Sequence, residues 1–149
     1  MPVRNLLLKI DSYPDVTSPE AIEQAASTGV VAWDGSRSAA RAMADAIPVM
    51  RKARKVQVLT VVNEKPNARS GLGDDAMRHF KAYGVIAVAD NVDASGDRIG
   101  RMLDEYVEKC GSDLLVIGAS GRPRVRVFSL GGATEHMLHD PKAPLFLVH

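Results

Sequence analysis

The sequence predicts an α/β fold: an open, mainly parallel five-stranded sheet with helices on both faces, preceded by an extra N-terminal strand and helix. Three observations carry this. From Val30 onward, short apolar runs rich in β-branched residues alternate with amphipathic segments, the pattern of strands joined by helical crossovers. The run "DLLVIG", Asp113–Gly118, has almost no polar alternation, as expected of a strand covered on both faces. With 149 residues, 46% of them hydrophobic, the chain is long enough for one domain with a sizeable core.

The elements follow in order. "VVAWD", Val30–Asp34, is a buried strand closed by Asp-Gly-Ser, where Ser36 or Ser38 can cap a helix. In the segment 38–55, Ala39, Ala42, Met43, Ala46, Ile47 and Met50 stand at helical spacing, Pro48 should kink or restart the helix, and the cationic tail suits its C-terminus. "VQVLTVV", Val56–Val62, is the second strand, and a polar loop runs from Asn63 to Asp75. A helix from Ala76 to Tyr83 ends at Gly84, and "VIAVA", Val85–Ala89, is the third strand. Ile99, Met102, Leu103, Tyr106, Val107 and Cys110 make the clearest amphipathic helix, which Gly111 stops. After the Asp113–Gly118 strand, a short helix from Gly132 to His139 ends ahead of Pro141, and "PLFLVH" is the last strand.

Charge and cysteine content restrict the function. Nineteen Lys and Arg against eighteen Asp and Glu leave a net charge of +1, so no global field favours nucleic acid or an anionic membrane. Any anion site must be local. The single cysteine, Cys110, can form no intrachain disulfide, which suits a reducing cytoplasm, and its apolar helix position reads as core. "NLLLKI", Asn5–Ile10, is too short for a membrane span and is interrupted by Lys9.

The most informative stretch is "GASGRPRVRVFSLGGAT", Gly118–Thr134, with four glycines around three arginines. Ligands of open parallel sheets collect beyond the carboxyl ends of strands where the winding reverses, and Asp34 and Gly118 both stand at such ends. Backbone without Cβ atoms can approach a phosphate closely, and the amides at Gly131 and Gly132, where the last helix starts, would point partial positive charge at it. The bland alternative is that Gly118 only ends a strand and Gly121 only makes a turn.

Gly118, two residues, Gly121, nine residues, Gly131 is the spacing found in nucleotide-binding universal stress proteins, and "VVAWDGS", "DLLVIGASG" and "KAPLFLVH" are similar to that family's first, fourth and closing strands. The chain resembles this family from Val30 to His149. The resemblance implies strand order 3-2-1-4-5 and a stress-response module that holds ATP or a related adenine nucleotide, with Mg²⁺ accompanying it, between strands one and four. By the same resemblance Asp34 would meet the ribose or adenine end, Val61 would line the adenine pocket, and the amides of Gly121, Gly131 and Gly132 would meet the phosphates. Ala32, Trp33, Gly118, Ala119, Arg122 and Ala133 are the further candidate residues of this nucleotide site. Gly132 departs from the family, whose ATP binders usually carry a hydroxyl residue there. Loss of that charge-assisted hydrogen bond corresponds to roughly 1.5–3 kcal/mol, or about tenfold to a hundredfold in affinity. Trp33 is also unusually large for its place and would crowd the purine or stack on it.

Arg122, Arg124 and Arg126 alternate along the loop and either clamp phosphate or lie solvated on one side. His136 and His139 are three apart but have no third ligand at matching spacing and read as surface residues. The function expected is therefore nucleotide binding by a regulatory module. The alternative is an interaction protein of the same fold with a vestigial pocket, for which Gly132 is the main argument. An ATP hydrolase fits less well, because no Lys follows a phosphate loop in the GxxxxGK[ST] pattern and no Ser, His and acid set is recognisable.

Two expectations concern assembly. "PLFLVH" at a sheet edge would leave its hydrogen-bonding groups unpaired, which predicts a homodimer through the C-terminal strand, as the resemblance also implies. Residues 1–28 lie ahead of the domain at 29–149 and repeat its opening plan: "NLLLKIDS" against "VVAWDGS", then a helix opened by Ser18 and Pro19. They read as the remnant of a first repeat in a tandem protein. The alternative is a plain N-terminal extension; either way the strand must find a sheet edge, and the chain's own edge and a partner's are both in reach, with exchange favoured.

Overall fold

The computed structural model describes residues 7–9, 27–62, 71–93, 99–118 and 142–148. They form six strands and three helices: β1 (Leu7–Lys9), β2 (Thr28–Trp33), α1 (Arg37–Met50), β3 (Lys55–Val62), α2 (Leu72–Ala82), β4 (Ala87–Asp93), α3 (Ile99–Cys110), β5 (Leu114–Gly118) and β6 (Leu145–Val148). The strands make one sheet ordered β1-β6-β5-β2-β3-β4, and every neighbouring pair is parallel. Within it β4-β3-β2-β5-β6 is the expected 3-2-1-4-5 arrangement.

Alternation along each strand divides the core into two layers. Val31, Trp33, Val56, Val58, Val116, Phe146 and Val148 face α1 and α2, which contribute Ala39, Ala42, Met43, Ala46, Met50 and Phe80. Val30, Ala32, Leu59, Leu115, Ile117 and Leu145 face α3, which contributes Leu103, Tyr106 and Val107. Each fully buried Val, Leu or Phe side chain contributes about 1.5–3 kcal/mol of transfer free energy, which is why β2 and β5 at the centre are apolar on both faces. All six residues expected on the apolar stripe of α1 are buried.

Several boundaries differ from expectation. The helix containing Pro48 runs through it without restarting and ends at Met50, so the cations of Arg51–Lys55 lie in the following turn and the start of β3. α2 begins at Leu72, with Asp74 and Asp75 in its first turn where carboxylates complement the helix dipole, instead of at Ala76. β4 starts at Ala87, because Val85 and Ile86 belong to the approach from α2; Val85 is buried and Ile86 is 91% exposed. The expected helices at 132–139 and after Ser18 lie outside the described residues.

The largest correction concerns the sheet edge. β6 does not lie at the edge, because β1 pairs with it in parallel register: Leu7 with Leu145, Leu8 with Phe146 and Lys9 with Leu147. The premise for pairing two copies through a free C-terminal strand is therefore absent in this chain. Within the single chain the N-terminal strand lies on its own sheet's edge, one of the two edges expected to be in its reach.

Candidate functional site

The winding reverses between β2 and β5: from β2 the chain moves outward through β3 and β4, then returns to β5 on the other side. The carboxyl ends of these two strands thus flank a crevice of the kind in which open α/β sheets hold ligands.

At the end of β2 the chain turns sharply into α1. Gly35 adopts φ 74°, a left-handed conformation that suits glycine. Asp34 Oδ1 accepts a hydrogen bond from the Ser36 amide at 2.8 Å, an Asx-type turn that fixes the carboxylate beside the helix start. Ser36 is the N-cap: its hydroxyl accepts from the Ala39 amide at 3.1 Å and lies 3.1 Å from the Ser38 hydroxyl.

Gly118 ends β5 directly against this turn. A Cβ at Gly118 would overlap Ser38 C and O and the Ala39 amide nitrogen, all backbone atoms. Glycine is needed here so that β5 and the first turn of α1 can touch. This goes beyond the bland reading, since Gly118 does more than end a strand. β2 and β5 pair Val31 with Val116, and continuing that register brings Gly118 level with Trp33. On the other side Thr60 pairs with Trp33, so Val61 lies level with Asp34. Asp34, Gly118 and the backbone of Val61 therefore share one end of three adjacent strands.

Ala32 and Trp33 are both buried below that rim, on opposite faces. The Trp33 indole is 7% exposed and belongs to the core layer under α1 and α2. Ala119, Gly121, Arg122, Gly131, Gly132 and Ala133, with Arg124, Arg126, His136 and His139, lie outside the described residues. Cys110 is partly buried against the α3 layer, as its position suggested. Among the described residues no group of His, Cys, Asp or Glu could hold a metal ion, and no helix is long and apolar enough to cross a membrane.

The opposite end of the same strand pair contains residues that sequence reasoning missed. Asp113, just ahead of β5, accepts hydrogen bonds from the Ser27 and Thr28 amides at 2.8 and 2.9 Å and from the Ser27 hydroxyl at 3.2 Å. Its own amide donates to Thr28 O at 3.0 Å, and Ser112 Oγ donates to the same carbonyl at 3.0 Å. On the α3 face the Tyr106 hydroxyl donates to Asp90 Oδ2 at 2.8 Å. Burial, the bond to Asp90 and the nearby Cys110 push that phenol well above its ordinary range, so it stays a donor. No spacing signal joins residues so far apart in sequence.

An open parallel sheet with a helix start and a bare strand end at its switch point defines a class of ligand-binding α/β domains. The model of the universal stress protein family matches residues 28–149, and the chain belongs to that family. No curated protein matches the sequence. Among solved structures, the chain is similar to a universal stress protein in complex with cAMP, with 23% identity, 82% of this chain and 95% of that chain covered, and a TM-score of 0.62. A universal stress protein from Archaeoglobus fulgidus DSM 4304 is 19% identical over 82% of this chain and 43% of that chain, with a TM-score of 0.63. A family protein from Burkholderia pseudomallei is 20% identical over 81% and 94%, with a TM-score of 0.57. At these identities the structures establish the fold.

Proposed function

We propose that the chain is a nucleotide-binding regulatory module of the stress response, holding ATP or a related adenine nucleotide beyond the carboxyl ends of β2 and β5. The observation that carries this reading is that Asp34 and Gly118 stand at the carboxyl ends of neighbouring strands at the switch point, with the β5 backbone close against the capped start of α1. In this reading the Asp34 carboxylate accepts from a ribose hydroxyl or the adenine amine, and Val61 borders the base. The amides of Gly121, Gly131 and Gly132 meet the phosphates. Mg²⁺ would accompany those phosphates. The cAMP held by a structural relative supports a nucleotide of this class. The lone Cys110 supports a cytoplasmic setting.

Gly132 favours a second reading, an interaction module whose pocket is vestigial, because it replaces the hydroxyl that would bind phosphate. Calorimetric titration with ATP, ADP, AMP and cAMP separates the two. One-to-one binding of at least one nucleotide, tightened about tenfold or more by Gly132→Ser, supports the first reading. Absence of binding in both proteins supports the second. Residues 1–28 fit either reading as the remnant of a first repeat, supported by β1 continuing the parallel sheet.

A further inference from the structure

We infer that β1 is an edge guard: it lies along β6 of its own chain and withholds that strand from pairing with a second copy. β6 is Leu-Phe-Leu-Val with three of its four residues buried, an apolar strand whose outer row of amides and carbonyls would otherwise be open. Such an edge is a template for edge-to-edge association. The strand that covers it comes from outside the family domain, whose match begins at residue 28. With β1 in place, the sheet ends on a three-residue strand, Leu-Leu-Lys, instead of a four-residue apolar one. Short edge strands and edge lysines are two of the devices by which natural sheets avoid self-association. The far edge is protected differently, since β4 carries Asp90, Asn91 and Asp93 in its own sequence.

Chain length permits the arrangement within one molecule. Residues 10–27 join β1 to β2. Extended, they could span up to roughly 60 Å, at about 3.3 Å per residue. From the end of β1 to the start of β2 the chain crosses three strand spacings of about 4.8 Å, or roughly 14 Å, and returns along the length of one parallel strand, which stays well within that span. A tether of this kind gives β1 an effective concentration near β6 on the order of millimolar, so a second copy at micromolar concentration competes poorly. The guard is nevertheless small, three residue pairs, and an interaction that removes Leu7–Lys9 would uncover β6.

The test uses the full chain with Lys9→Cys and Leu147→Cys in a Cys110→Ser background. Lys9 and Leu147 are paired residues on neighbouring strands, whose spacing of about 4.8 Å lies within the range a disulfide can span. Oxidation of a dilute sample should give an intrachain disulfide at monomer mass on a non-reducing gel. Covalent dimers would show that β1 is exchanged between copies, and no crosslink would show that β1 does not lie on β6; either overturns the inference. The second readout is sedimentation of full chain carrying Leu7→Pro and Leu8→Pro. Two consecutive prolines remove the amide facing β6 whichever way the strand is set. This variant should self-associate at least tenfold more tightly than the parent, and unchanged association overturns the guard. If the proline variant does not fold, the reduced and oxidised forms of the cysteine pair replace it: the locked form should associate more weakly than the reduced one, and equal association overturns the guard.

Discussion

The two ends of the β2–β5 pair each carry an aspartate, and the two aspartates are used in opposite ways. At the amino end Asp113 spends both carboxylate oxygens on the backbone of Ser27 and Thr28, tying together segments 85 residues apart. At the carboxyl end Asp34 uses one oxygen locally, on the Ser36 amide, and the strand beside it ends in a glycine that admits the helix start. A closed hydrogen-bond set supports stability. A carboxylate held at the strand end by a local turn, beside a glycine that ends the neighbouring strand, is the arrangement on which the proposed site rests. The same residue type in the same sheet thus ties two distant segments at one end and shapes a local turn at the other, where the proposed nucleotide site lies.

Substitutions can break this contrast, and the largest effect should come from Gly118→Val. The new side chain would enter the Ser38–Ala39 backbone, which cannot give way as the tip of a flexible side chain could. Overpacking of this kind should destabilise the protein by about 3 kcal/mol in urea unfolding and abolish nucleotide binding in whatever remains folded. Unchanged stability would show that β5 and α1 are not in this contact. Asp113→Ala comes next, at about 2 kcal/mol, because it strands the Ser27 and Thr28 amides while leaving the carboxyl end untouched. Its unfolding midpoint should fall with nucleotide affinity unchanged, and a parallel loss of affinity would erase the distinction between the two ends. Ser36→Ala should cost least, about 1 kcal/mol, as the loss of one N-cap, with a modest fall in affinity if α1's first turn helps to shape the rim. Thermal unfolding compared with Ser38→Ala would show whether Ser36 is the cap in solution.

How much of this was legible depends on whether the responsible contact is local. The α3 stripe, the β5 run and the Ser36 cap were readable because periodicity and capping act over a few residues. The first turn of α2 was missed because Gly71 and Gly73 read as loop, although Asp74 and Asp75 were already the acids a helix start favours. β4 was placed two residues early because Ile86 continues an apolar run while pointing into solvent. At the site, Asp34 and Gly118 were singled out from strand ends and spacing, but the reason Gly118 must be glycine is its meeting with Ser38 and Ala39, which only the folded chain supplies. The Asp113 tie and the Tyr106–Asp90 bond are likewise long-range or cross-layer. The position of β1 was left open for the same reason: its apolar run predicts a strand but not which edge receives it.

The measurement that bears most directly on the central claim is a calorimetric titration of ATP into the parent chain, Asp34→Ala and Asp113→Ala under one set of conditions. The account predicts one-to-one binding to the parent, affinity retained in Asp113→Ala despite its lower stability, and a loss of tenfold or more, about 1.4 kcal/mol, in Asp34→Ala. Equal affinity of the parent and Asp34→Ala, or a loss confined to Asp113→Ala, would contradict it.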